Sequence, residues 1–252
     1  MFRNWWIALP KWVRWVLGIF TIYSTLRFIF LVVVLPPFVW DSLVYHLPNV
    51  AHWVQAGRIE LFDIAVLRIH SPANYEVFTS WFTVFLHHDA FIEASGIPAY
   101  VLAFLSVYTI GRRLNLARWS AVLGAVAYAT TPALILATTG TKNDPIMAAL
   151  FLAAMAIILD IAQHRRSQDD LRLWGEALVL VLILFYALGT KTYLLHLGPG
   201  LIVVAVLATL QEKTIKNWLS LPGDFIRAVR ARGALLGVLV VLLLIVAVFL
   251  GT

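Results

Sequence analysis

The chain has 252 residues, 62% of them hydrophobic and 13% charged, against roughly 45–50% apolar in a soluble domain, so it is not an ordinary soluble globular protein and most of it is predicted to sit in lipid. The formal charge of +6 does not point to nucleic acid, because the basic residues are scattered between apolar runs rather than gathered on one soluble face. The absence of cysteine excludes disulfides, thiolate catalysis and Cys-based zinc sites, leaving His, Asp and Glu as the available metal ligands.

A membrane-crossing helix needs about 20 mostly apolar residues. Seven stretches are candidates: 15–36, 91–111, 117–137, 145–161, 177–189 (the shortest), 193–210 and 234–250. Backbone groups in lipid must be satisfied within a helix or a closed barrel, and these runs lack the alternation of barrel strands, so the predicted class is an all-α polytopic membrane protein forming one domain over 1–252. The first 36 residues carry no small-residue cleavage site and are expected to be a retained first span.

Between the first two candidates lies a long loop, 37–90, with two helical pieces. In 47–55 the apolar Leu47, Val50, Ala51 and Val54 fall at helical spacing, with Asn49, His52 and Gln55 between them, which predicts an amphipathic helix lying in the interface. Residues 77–88 are apolar but too few to cross, and are expected to form a second interfacial or re-entrant helix. The distribution of basic residues supports that reading, since Lys and Arg of short loops stay cytoplasmic. Of the 19 Lys and Arg, Arg27 lies within a span; with the N-terminus inside, only Arg58, Arg68, Lys142 and Lys191 fall outside, and the other fourteen are cytoplasmic. If 77–88 crossed, only Arg3, Lys11, Arg14, Lys142 and Lys191 would be inside. The favoured topology puts the loop 37–90 and the turns 138–144 and 190–191 on the same outer face. The connection 211–232 is a basic inner surface suited to anionic lipid.

Three polar stretches at that face could carry chemistry. In Trp40-Asp41-Ser42-Leu43-Val44-Tyr45-His46-Leu47-Pro48 a carboxylate follows a proline-terminated span. At helical spacing Asp41 and Tyr45 share a face, with His46 one step round; N-capping of the following helix is a competing role for Asp41. In Thr138–Pro145 a polar turn ends at Asp144, which Pro145 also suits to N-capping. In Gly189-Thr190-Lys191 a lysine sits between two spans, where snorkelling is the competing role. Within the long loop, Arg68-Ile69-His70-Ser71-Pro72-Ala73-Asn74-Tyr75-Glu76 packs two bases and an acid around a proline turn. Arg27, mid-span, needs a polar partner whether its role is structural or functional.

Together these stretches resemble the GT-C superfamily of polyprenyl-phosphate-sugar glycosyltransferases, in particular the branch of protein O-mannosyltransferases and lipid A aminoarabinose transferases. The resemblance covers about 15–199 and is carried chiefly by residues 40–48 with His52-Trp53-Val54-Gln55, then by His70–Glu76, Asn143-Asp144 and Gly189-Thr190-Lys191. It implies a GT-C-like bundle in the plasma membrane, with interfacial helices in the first outer loop and further helices beyond the family's portion matched here. It also implies an inverting transfer of sugar from a polyprenyl-phosphate donor to an acceptor hydroxyl of protein, lipid or glycan. Asp41 would be the catalytic base and Lys191 the phosphate anchor. Arg68 and His70 would assist, Tyr45, His46, Glu76 and Asp144 would bind substrate, and a divalent ion held by Asp41 and Asp144 could share the phosphate's charge. The alternatives are a non-catalytic subunit that binds lipid-linked sugar and a transporter.

Overall fold

The computed structural model describes residues 2–60, 72–85, 89, 91–138, 140–164 and 170–210. Arg68, His70, the basic connection 211–232 and the last candidate span, 234–250, lie outside the described residues. Among the described residues there are helices and turns but no strand.

A short helix, α1 (Phe2–Ile7), precedes Pro10, whose extended conformation starts α2 (Lys11–Val33). The Pro36-Pro37 pair forbids helix at the residues before it and ends α2. The chain then forms a π-helical turn (Ser42–His46) leading into α3 (Leu47–Ala56), and later α4 (Asn74–Val84). A 3-10 turn (Ile92–Ser95) leads into α5 (Gly96–Arg113). Then come α6 (Arg118–Ala129), α7 (Pro132–Thr138), α8 (Asp144–His164), α9 (Asp170–Leu188) and α10 (Tyr193–Leu210).

Three helical segments are long and apolar enough to cross a membrane: Lys11–Val33, Ile92–Arg113 and Asp144–Ala162. The expected span 117–137 is two helices, α6 and α7, bent by 62°. Pro132 cannot donate to the carbonyl four residues back, which breaks the ladder at Thr130-Thr131. Thr131 N–H and its hydroxyl, the latter at 2.8 Å, both donate to the Tyr128 carbonyl, and the Ala127 carbonyl this leaves accepts from Thr130 Oγ1 at 3.1 Å, so groups released by the break are satisfied within the helix. Of the seven expected crossings, 234–250 lies outside the described residues; among the described residues three helices meet the length and hydropathy of a crossing, or four with the bent pair as one, and α9 and α10 occupy the expected 177–189 and 193–210. Helix α9 begins seven residues before the expected 177, in polar sequence containing Arg172 and Glu176.

Helix α8 is the centre of the bundle and packs on α5, α9 and α10. Its buried Ala149, Ala153, Ala154 and Ala156, facing neighbours that include Ala99 and Ala103 of α5, let backbones approach closely where no hydrophobic force separates helix from lipid. Helices α5 and α8 run the same way and α9 returns. At one end Arg113 of α5 pairs with Asp160 of α8, and Arg172 of α9 reaches Asp160 at 3.6 Å and Glu176 at 2.8 Å. Helix α2 lies on the periphery with Ile19, Ile22, Leu26 and Phe30 exposed. It is held by Leu9 and Val13 against Val122 and by Trp5, whose indole donates to Tyr108 Oη at 2.8 Å.

At the opposite end α5 begins against α7. A Cβ at Gly96 would collide with the backbone carbonyl of Thr138, and backbone cannot swing aside as a side chain does. Gly96→Ala is therefore expected to cost about 1–3 kcal/mol as overpacking, read as a lower unfolding temperature in detergent. An unchanged midpoint would show that the two helices are not in contact there.

Candidate functional site

The loop after α2 returns to helix at Trp40, one residue before Asp41. Asp41 therefore has helical dihedrals (φ −59°, ψ −37°) and its carboxylate makes no cap hydrogen bond, so the N-cap role drawn from spacing is corrected. The turn from Ser42 to His46 is wound as a π-helix, closed by Leu47 N–H donating to Ser42 O. Pro48 supplies the cause: it has no N–H for the carbonyl of Val44, and its ring would clash with that carbonyl in a regular helix. One extra residue in a turn rotates everything after it by about 100°. Asp41 and Tyr45 accordingly do not share a water-facing side. The side chain of Asp41 is 27% exposed, while Tyr45 and His46 are buried. In α3 the buried stripe is Asn49, Val50 and Trp53 instead of the expected Leu47, Val50, Ala51 and Val54.

The three polar stretches meet at one end of the bundle. Ser42 Oγ donates to the carbonyl of Gly140, and Val39 lies where a Cβ on Gly140 would be. Lys142, two residues on, places Nζ 3.2 Å from Asp41 Oδ2. The turn containing Lys142 is fastened to the α9–α10 turn by Asn143 Nδ2, which donates to Thr190 O at 3.2 Å, and by an ion pair between Lys191 and Asp144. Lys191 also lies 4.4 Å from the centre of the Tyr193 ring. The start of α4 joins the same assembly. Asn74 N–H donates to Gly189 O at 2.8 Å, its side-chain amide donates to Tyr186 O at 3.3 Å, and Tyr186 Oη donates to Asn74 O at 3.3 Å.

Glu76 and His46 are placed together away from water. Their side chains are 4% and 3% exposed and contact each other through Oε1 and Nδ1, so each has the other as partner in the interior between the π-helical turn and α4. Beside them Tyr75 shares a hydrogen bond of 3.2 Å with Ser95 Oγ. Burial pushes the Tyr75 phenol up to about 12, against the lowering effect of its hydrogen bond to Ser95, with Glu76 and Glu93 pushing the same way as burial. It stays protonated as a donor. Glu93 is buried with neither carboxylate oxygen hydrogen-bonded within the protein, a feature sequence reading passed over because it sits in the apolar start of a span.

Of the residues expected at the site, Asp41, Asp144 and Lys191 come together near the surface, and Lys142, read in the sequence only as a loop charge, joins them. Tyr45, His46 and Glu76 form an inner layer. Arg27 is accounted for structurally: its guanidinium donates to the carbonyl of Ile135, in the last turn of α7, where helix carbonyls lack intrahelical donors. The donor set does not fit the divalent ion assigned to Asp41 and Asp144. Each carboxylate has a lysine ammonium against it, and among the described residues no three His, Asp or Glu side chains gather as ligands. The charge an ion would supply is already present as two ammonium groups. Comparison with protein-family models, with curated proteins and with solved structures finds no match for this chain.

Proposed function

We propose that this chain is a membrane glycosyltransferase, or the catalytic part of one, that transfers a sugar from a polyprenyl-phosphate donor to an acceptor hydroxyl with inversion. The observation that carries the reading is the meeting of Asp41, Asp144, Lys142 and Lys191 at one end of a bundle of apolar helices. The distribution of basic residues supports this end as the outer face with the N-terminus cytoplasmic, and the plasma membrane is the location that the resemblance implies. A polyprenyl tail would stay among the exposed apolar side chains while its phosphate reaches the lysines.

In the reaction the acceptor oxygen bonds to the anomeric carbon and its proton passes to the Asp41 carboxylate. The bond from that carbon to the phosphate oxygen breaks with its electron pair left on the phosphate, and Asp41 returns the proton to water. A single displacement needs one carboxylate, hence inversion. The departing lipid phosphate is a weak base and needs no acid, but its charge grows from −1 to −2, so an ammonium at its side is worth more in the transition state than in the ground state. Lys191 is that group, and Asp144 holds it in place until phosphate arrives.

The test is transfer by purified protein in lipid vesicles given a radiolabelled polyprenyl-phosphate sugar and hydroxyl acceptors of protein, lipid and glycan type. Labelled acceptor is expected; hydrolysis and transfer both at background across donors would remove the reading. Lys191→Met is expected to raise KM for the donor and lower kcat, together about 10²–10³-fold in kcat/KM, with Lys191→Arg recovering part. Normal kinetics in Lys191→Met would exclude it as the phosphate anchor. A transport reading would be favoured instead by uptake or efflux that depends on Arg27, which donates to the Ile135 carbonyl, and that survives Asp41→Asn.

A further inference from the structure

We propose that Lys142 is a positioning residue for Asp41: the turn 140–142 is shaped to deliver its ammonium to the Asp41 carboxylate and so to fix the direction in which that carboxylate meets the acceptor. The inference rests on the proposed role of Asp41 as base.

Three contacts tie the two segments together in register. Val39 packs where Gly140 has no Cβ, Ser42 Oγ donates to Gly140 O, and Lys142 Nζ meets Asp41 Oδ2 at 3.2 Å. Asp41 is thus flanked on both sides by residues anchored to the turn that carries Lys142. The turn itself is not shaped for its own stability. Thr141, immediately before Lys142, has φ +48°, a conformation that suits glycine and is costly for a β-branched side chain. Its hydroxyl is buried with no hydrogen-bond partner within the protein, as is Asn143 Oδ1 on the other side of Lys142. Asn143 in turn holds the segment to Thr190. A strained, under-satisfied turn clamped at both ends points to a constraint on where Lys142 lies.

The chemistry supplies that constraint. A base is effective only when its oxygen lies within hydrogen-bond reach of the hydroxyl it deprotonates. An ammonium 3.2 Å from Oδ2 holds that oxygen in one direction and leaves the other to meet the acceptor. It acts in a setting where Lys191 and Asp144 lie in the adjoining turns, Tyr45 and His46 on the same turn as Asp41, and Glu76 behind His46. When Asp41 takes the acceptor proton its charge disappears, and the freed ammonium remains at the site as the phosphate gains charge.

Two measurements test this. The first needs no turnover: acylation of Lys142 by an amine-reactive reagent, followed by mass spectrometry, is expected to be several-fold faster in Asp41→Asn than in the native chain, because only the free amine has the lone pair that attacks and the carboxylate at 3.2 Å favours the ammonium over it. Equal rates would overturn the pairing whatever the protein catalyses. The second is kinetic: Lys142→Met is expected to lower kcat about 10–100-fold with donor KM unchanged, and Lys142→Arg to restore most of it, with unfolding temperature unaltered in both. A raised donor KM at unchanged kcat would make Lys142 a phosphate contact and overturn the positioning role. Absence of transfer by the native protein would instead refute the glycosyltransferase reading and with it the kinetic role, while the acylation comparison still decides the pairing.

Discussion

Replacing Asp41 with asparagine is expected to reduce kcat for sugar transfer by about 10²–10⁴-fold, the usual contribution of a positioned general base, while donor KM and the unfolding temperature stay near native. The substitution separates two roles cleanly. Asparagine is as good an N-cap as aspartate, so if Asp41 served only to start a helix, Asp41→Asn would change nothing. The geometry already argues against capping, because Asp41 has helical dihedrals with Trp40 before it in the helix. An amide keeps the shape and the ability to hydrogen bond but cannot accept the acceptor's proton, and it no longer forms an ion pair with Lys142. Steady-state rates with labelled donor, beside thermal unfolding of the same preparation, decide the matter: full activity in Asp41→Asn removes Asp41 from the chemistry. Lost activity with lost stability would instead call for Asp41→Glu, which keeps the charge and moves the oxygen, and a base role predicts partial activity there.

How far the site was legible in the sequence depends on what kind of fact each residue needed. That residues near 41, 138–144 and 190 share one end follows from counting crossings and basic residues, and the structure brings those stretches together. Who pairs with whom was not legible. Lys191 meets Asp144 across 47 positions, a contact fixed by how α8, α9 and α10 pack, and Lys142 counted only as an exposed charge. The local sequence misled in two places where proline acts at a distance of a few residues. Pro48 closes the stretch 40–48, yet its missing N–H lets the preceding turn wind as a π-helix and rotates α3, carrying Asn49 inward and Ala51 outward. Pro132 lay inside an apolar run long enough to be one span, and breaks it into two helices. Hydropathy sums over a window and is blind to a missing hydrogen bond. The partner of Arg27 was not legible either: the carbonyl it serves, that of Ile135, belongs to the last turn of α7, where helix carbonyls lack intrahelical donors.

The inner layer gives the largest expected effect on stability. His46 and Glu76 are each nearly fully buried and contact each other, so Glu76→Ala would strand a buried imidazole and open a void. Removing one partner of a buried ion pair costs about 3–5 kcal/mol, and that is the expected loss in detergent unfolding; a neutral hydrogen-bonded pair would lose only about 1–3 kcal/mol, so the size of the effect also reports the pair's charge. Replacing both at once, His46→Leu with Glu76→Leu, is expected to recover most of the loss, because apolar groups of similar volume need no partner. That double variant also tests the substrate role expected for these two residues. If they touch donor or acceptor, transfer stays low although the fold is restored. If instead they only hold the π-helical turn against α4, transfer returns with stability, since Asp41 sits at the start of that turn and its placement depends on where the turn is pinned.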